Sequence, residues 1–362
     1  MAEKTSLISN KGALIIGFFI ASALLTIFVP KEDEEATDQP QTTTQQPAPG
    51  SEEFAKYEED LLKELEENPS FSQSNDSKVT EEKQAVVNKV IEQDPYKELE
   101  NMIGLDSVKA EVKSLANYIK LIKEREAKGL KSPNISYHCV FSGNPGTGKT
   151  TVARILARIY KDLGVVSKGH LVETDRNGLI GAYVGQTGPK TNALIDSALG
   201  GVLFIDEAYG LLDDSGYGDE AIATLLKRME DDRDDLVVIV AGYTEEMKKF
   251  IDANPGLQSR FTRYIDFPDY TAEELFKIFM ARAKPYQMKL SQDAARKLME
   301  GLNKAVAKKS RTFGNGRYVR NVFEMSVTSM ANRLSGKTNV KEEDISTITA
   351  DDIEYALKQV KF

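Results

Sequence analysis

The longest apolar run comes first. "GALIIGFFIASALLTIFVP", Gly12 to Pro30, carries no charge and shows no polar stripe. About 18 or more such residues suffice to cross a bilayer as a helix, so a retained transmembrane helix is expected over residues 12–30, behind an N-terminal tail of residues 1–11. A core helix would show a polar face, and a cleaved signal peptide would end in small residues, whereas "VPKEDEEA" follows here. Beyond it the apolar pattern dissolves. "KEDEEATDQPQTTTQQPAPG" cannot bury a core and reads as a solvated tether. Within the acidic linker of residues 31–96, Phe54, Tyr57, Leu61 and Leu65 return at helical spacing behind Ser51, an N-cap residue type. The linker is therefore expected to carry short helices.

From residue 97 the pattern becomes an alternation. Short continuous apolar runs, in "SYHCVFSG" and "GGVLFIDEA", read as strands buried on both faces. Between them, Val152, Ile155, Leu156, Ile159 and Tyr160 mark one face of a helix. Strand and helix alternating over residues 97–270 predict an α/β domain with a parallel sheet and a ligand site at its carboxyl edge. Residues 271–362, from "TAEELFKIFMARA" onward, show helical patterns only and predict a small all-helical lid.

Composition narrows the chemistry. A lone cysteine, Cys139, excludes an internal disulfide framework, and two histidines leave little from which to build a metal cluster. His138 and His170 read as ordinary residues flanking strands. The net charge of −9 is unevenly placed: residues 1–100 hold 9 Lys and Arg against 21 Asp and Glu, the remainder 38 against 35. The acidity belongs to the N-terminal arm, and the body lacks the basic footprint of a nucleic-acid binder.

"GNPGTGKT" (Gly143, Asn144, Pro145, Gly146, Thr147, Gly148, Lys149, Thr150, with Thr151 next) sits between a predicted strand and a predicted helix. In that context a glycine-rich turn presents backbone N–H groups and a helix N-terminus to phosphate oxygens. Lys149 is expected to reach the β- and γ-phosphates of ATP, and the Thr150 hydroxyl to ligate Mg²⁺. Asp206 and Glu207 end the "VLFI" strand. Asp206 is expected to hold hydrated Mg²⁺, and Glu207 to orient and deprotonate the attacking water. Arg260 and Arg263 flank Phe261 before "YIDF". Two guanidinium groups there can point the same way toward a phosphate, or can pair with nearby acids.

With these motifs the chain resembles the AAA+ ATPases, and within them the group that holds stage V sporulation protein K and the red-type rubisco activase. The likeness covers roughly 260 residues, from Leu99 through the C-terminal helices. It implies a P-loop AAA+ module. "MIGLDSVK", with Ile103 and Gly104, resembles the adenine segment; "VVIVAGYTEEM" resembles the sensor-1 strand, with Thr244 first and Tyr243 next as γ-phosphate contacts. "NPGLQSRFTRYIDFPDY" resembles the arginine-finger region, and "GNGRYVRN" resembles sensor 2, carried by Arg317. A hexameric ring is implied, because the finger arginine acts on a neighbour. "LIGAYVGQTGPKT" occupies the interval of the first pore loop, where Tyr183, Val184 and Gly185 form an aromatic–hydrophobic–glycine triplet. Tyr183 either grips a foreign chain there or packs in its own domain. Gly181 and Gly185 are expected to let this loop bend.

The expectation is a membrane-anchored ATPase that remodels or threads a protein substrate. An ATP-assembled scaffold at the membrane is the alternative, and a nucleic-acid motor is disfavoured by the balanced charge of the body. Lys4 and Lys11 precede the apolar run and Lys31 follows it, a bias that would export the body. ATP supply argues the reverse, placing a single-pass protein in the cell membrane with residues 31–362 in the cytoplasm.

Overall fold

The computed structural model describes residues 94–133, 136–212, 216–310 and 312–361. The expected anchor, tether and linker helices lie outside the described residues. Among the described residues no helix is long and apolar enough to cross a membrane.

Helix α1, Pro95–Glu100, opens behind Asp94, whose side chain caps the Tyr96 N–H. Helix α2, Asp106–Ala127, follows, burying Val108, Val112, Leu115 and Ile119 along one stripe. The sheet is built from β1 (Cys139–Gly143), β2 (Leu171–Thr174), β3 (Gly201–Ile205), β4 (Leu236–Gly242) and β5 (Arg263–Phe267), in the order β2-β3-β4-β1-β5. Every pairing is parallel. Each strand must therefore be followed by a crossover. The crossovers carry α3 (Lys149–Asp162), α4 (Arg176–Leu179), α5 (Thr187–Ala198), α6 (Tyr217–Asp231), α7 (Thr244–Asp252) and α8 (Pro255–Arg260).

The period-2 rule of strands divides the core in two. Val202 and Phe204 of β3 join Val237 and Ile239 of β4 under α2 and α3. Leu203 and Ile205 join Val238 and Val240 under α5, α6 and α7. All residues of β3 and β4 are buried, as expected of central strands covered on both faces. His138 takes a strand's place at the amino edge: its Nδ1 accepts the Val238 N–H at 2.9 Å. Burial lowers its pKa to about 4, so the ring stays neutral at physiological pH.

The lid comprises α9 (Ala272–Ala283), α10 (Gln292–Ala307), α11 (Gly316–Leu334), α12 (Glu342–Ser346) and α13 (Ala350–Gln359). Thr271 and Glu274 form a capping box that starts α9 at the domain boundary. The lid is not all-helical as expected: β6 (Lys289–Leu290) and β7 (Thr347–Ile348) pair in parallel. Strands of two residues are too short to display a period in sequence. The buried carboxylate of Asp352 accepts from Arg333 at 3.1 Å and Ser329 at 3.0 Å, tying α13 to α11.

Candidate active site

Gly143 ends β1 against β5, where an added Cβ would collide with the Phe267 carbonyl. Gly146 and Gly148 take φ of 70° and 98°, which bring the turn round to the first residue of α3, Lys149. Three strand ends, from β1, β4 and β3, then meet at the carboxyl edge around an open cavity of about 430 Å³. Of the nucleotide-site residues expected from sequence, Gly143, Pro145, Gly146, Gly148, Lys149, Thr150, Thr151 and Ile103 line it, as do Asp206, Glu207 and Arg317. Asn144 and Thr147 brace the turn instead. Asn144 Nδ2 donates to Asp269 Oδ1 at 2.9 Å, and Thr147 Oγ1 donates to the Asn144 carbonyl at 2.8 Å.

Lys149 Nζ is folded onto the loop, donating to the carbonyls of Gly143 at 2.8 Å and Asn144 at 2.9 Å. Burial lowers its pKa, while the carboxylates of Asp206 and Glu207 work against that fall. This is a desolvated ammonium at a helix N-terminus, suited to a polyphosphate. Asp206 is fixed by its own N–H, which donates to the Thr174 carbonyl at 2.8 Å. Glu207 N donates to Asp206 Oδ1 at 3.1 Å, and Glu207 itself adopts φ 50°, ψ 41°. A left-handed glutamate at a strand end is an outlier of the kind that collects at functional sites. Tyr209 packs beside the pair, 6.1 Å from Tyr243 between ring centroids. Its hydroxyl is pushed up to about 12, first by burial and then by the Glu207 carboxylate.

Thr150, with its hydroxyl, and Asp206, with its carboxylate, both line the cavity. These are hard oxygen donors of the kind a hydrated Mg²⁺ accepts, since that ion keeps several waters and takes phosphate oxygens for its remaining ligands. No group of three or more His, Cys, Asp or Glu poised to hold a metal occurs among the described residues, and a hydrated Mg²⁺ requires none.

Two of the expected residues, Thr244 and Gly104, lie off the cavity wall. Gly242 and Tyr243 line the cavity; Thr244 does not. Thr244 opens α7, exposed, with its hydroxyl 3.5 Å from Asp266 Oδ1, whereas Tyr243 is on the cavity wall. Gly104 is off the cavity too: it turns the chain at φ 62° with the Glu274 carboxylate filling its Cβ position. Met102, Tyr270, Ile278, Ala281, Arg282, Gly316 and Arg320 complete the wall without having been expected. Arg320 was readable, one helical step beyond Arg317 on α11. Tyr270 and the α9 residues carry no local signal, because only the closure of the lid brings them there.

Arg260 and Arg263 lie at the opposite, amino edge. Arg263 pairs in register with Cys139, the first residue of β1, whereas the phosphate loop follows the last. That is roughly 13 Å of strand away. The two side chains do not point the same way. Arg263 places its guanidinium 5.1 Å from the Tyr118 ring on α2. Arg260 faces α6, with Nη2 3.6 Å from Glu230 Oε2 and 28% of its side chain exposed. A helix ends at Arg260 and a strand begins at Arg263, so a three-residue spacing spans opposite faces of the sheet.

Between α4 and α5, Tyr183 and Val184 stand out at 71% and 85% exposure. Packing within the domain is thereby excluded for Tyr183 in this chain alone. Gly185 has φ 78° and open space around it. Gly181 does not serve bending as expected: its Cβ position is filled by Gln186 and Thr187, and its N–H donates to Thr187 Oγ1 at 3.2 Å. Lys190 Nζ closes the base of the loop on the carbonyls of Asn177 at 2.6 Å and Ile180 at 2.9 Å. An exposed aromatic tip thus rides on a fastened stem.

Residues 139–269 match the family described as "ATPase family associated with various cellular activities (AAA)", and residues 271–362 match the AAA lid domain. The chain is 43% identical over 263 residues to stage V sporulation protein K of Bacillus subtilis, across 71% of this chain and 81% of that protein. It is 41% identical over 279 residues to the chloroplastic ribulose bisphosphate carboxylase/oxygenase activase of Cyanidioschyzon merolae, across 76% and 93% respectively. The FIGL-1 AAA domain in complex with ADP shares the fold, with a TM-score of 0.53 at 19% identity over 72% of this chain and 83% of that one.

Proposed function

The chain belongs to the AAA family of ATPases and is an ATP hydrolase, and from that premise we propose that it is a membrane-anchored hexameric ring that remodels or threads a protein substrate. The observation that carries this reading is the exposure of Tyr183 and Val184 on a braced loop. A flat aromatic ring offers apolar grip to many side chains with little specificity, and a fastened stem transmits force to it. The Cyanidioschyzon merolae relative is by its name an activase of another enzyme, which favours a protein client.

In this reading Lys149 and the loop amides bind the β- and γ-phosphates, and Glu207 orients the attacking water and takes its proton. Mg²⁺ held by Thr150 and Asp206 would neutralise charge developing on the phosphate oxygens. Arg317 contacts the γ-phosphate from the lid, with Tyr243 on the opposite wall. Arg260 is the finger offered to the neighbouring subunit, because its place at the amino edge removes it from its own cavity. Arg263, held on Tyr118, supports that edge.

The apolar run of residues 12–30 anchors the ring, and the acidic linker lets it stand off the bilayer. ATP supply sets the body in the cytoplasm. Protease added outside intact cells then leaves residues 31–362 whole; their digestion would reverse the placement. The reading as a whole is tested by Tyr183→Ala. Basal ATP turnover is expected to persist while remodelling of unfolded polypeptide is lost, and an unchanged remodelling rate would refute the pore-loop role.

A further inference from the structure

The lid does more than close over the cavity: it holds the phosphate loop from behind. Three successive loop carbonyls face hinge and lid donors. Gly316 N donates to the Gly146 carbonyl at 3.0 Å, Tyr270 Oη to that of Thr147 at 3.2 Å, and Asn315 Nδ2 lies 3.4 Å from that of Pro145. No peptide bond among the described residues is cis. In a trans peptide the carbonyl and the following N–H point in opposite directions. Holding these three carbonyls toward the lid therefore turns the N–H groups of Gly146, Thr147 and Gly148 away from it, and Gly146 and Gly148 line the cavity.

Asn315 is the part built for this. It is 0% exposed and adopts φ 44°, ψ −115°, a conformation that non-glycine residues avoid. Such strain persists only where the surroundings enforce it. Here Asn315 Oδ1 accepts the Tyr270 N–H at 3.0 Å, and Nδ2 donates to Asp269 Oδ1 at 2.8 Å and to the Phe313 carbonyl at 3.1 Å. The same Asp269 carboxylate accepts from Asn144 of the loop and pairs with Lys309 of the lid at 2.8 Å. The turn so enforced aims the next N–H, that of Gly316, at Gly146. Gly146 has no room for a side chain, since a Cβ there would strike the Gly314 carbonyl.

We propose that Asn315 and Tyr270 are positioning residues for the phosphate-binding amides, so that lid position and β-phosphate affinity are coupled through the loop backbone, independently of Arg317. Movement of the lid frees the loop carbonyls, lets the peptide planes rotate, and weakens the hold on the β-phosphate. Conversely, a bound diphosphate fixes the planes and holds the lid.

The test is calorimetric binding of ADP and of AMP, each with magnesium, to the full chain. ADP has no γ-phosphate, so Arg317 stays outside the readout, and AMP has no β-phosphate for the amides to hold. Asn315→Gly keeps the positive φ and removes the side-chain bonds; Tyr270→Phe removes only the hydroxyl on Thr147. The expected ADP dissociation constant rises about tenfold in the first variant and about threefold in the second, as befits lost hydrogen bonds near a charged ligand. AMP affinity is expected to fall less than ADP affinity in both variants, since Tyr270 also lines the cavity wall but only ADP carries a β-phosphate. ADP binding within twofold of the parent in folded Tyr270→Phe, or equal weakening of ADP and AMP, would overturn the proposal. Should Asn315→Gly fail to fold, Tyr270→Phe decides alone.

Discussion

Glu207 shows how one residue can carry a cost for chemistry. Its left-handed backbone costs on the order of 1–3 kcal/mol, and nothing in the packing of the exposed side chain returns it. What the conformation achieves is placement: the chain turns sharply after Asp206, and Asp206 and Glu207 both line the cavity. Glu207→Gln preserves shape and hydrogen-bonding length but cannot take a proton. ATP binding is expected to persist while turnover falls about 10²- to 10⁴-fold. Arg260→Ala leaves the subunit's own cavity intact and is expected to cut turnover of the assembled enzyme by about 10³-fold or more. Measured ATP turnover and nucleotide binding check both, and normal turnover in either variant would remove that residue from the reaction.

At the scale of elements, the central sheet was the most legible part, and His138 shows what such legibility omits. The runs around Val140, Leu203 and Val238 are continuous because both faces of those strands are covered. Nothing in them reveals that an imidazole completes the ladder at Val238. Its unfolded value is 6.5 and its folded value about 4. Below pH 6.5 the unfolded chain binds a proton that the folded chain refuses, so stability is full above that pH and declines toward pH 4. At pH 5 the loss is about 2 kcal/mol. His138→Asn keeps an acceptor for the Val238 N–H without titrating. Its melting temperature is therefore expected to fall less between pH 7 and pH 5 than that of the parent; equal falls would contradict the assignment.

The misplacements in the sequence reading have a common physical origin. Thr244 and Tyr243 are adjacent, and which one faces the cavity depends on where β4 gives way to α7. Arg260 and Arg263 are separated by a change from helix to strand, which turns their side chains to different faces of the sheet. Gly181 looked like a source of flexibility, yet packing against Gln186 and Thr187 explains it. The phosphate loop, by contrast, was legible as a turn, because backbone chemistry there dictates sequence within a few residues. That Asn144 and Thr147 brace it while their neighbours line the cavity was not legible.

For the whole molecule, the decisive geometry is that the ATP cavity and Arg260 occupy opposite edges of one parallel sheet. A subunit that needs a neighbour's Arg260 must meet it head to tail, and such heterologous contacts either close into a ring or run on as a filament. In the proposed ring, closure would bring the exposed Tyr183 loops of successive subunits around one axis. The central claim is that Tyr183 touches a foreign chain under control of ATP. Its most direct test places a photoreactive phenylalanine analogue at position 183 in a Glu207→Gln background and presents unfolded casein. Cross-links from position 183 to casein are expected with ATP bound and are expected to vanish with ADP. Cross-links confined to the protein itself, whatever the nucleotide, would contradict the account.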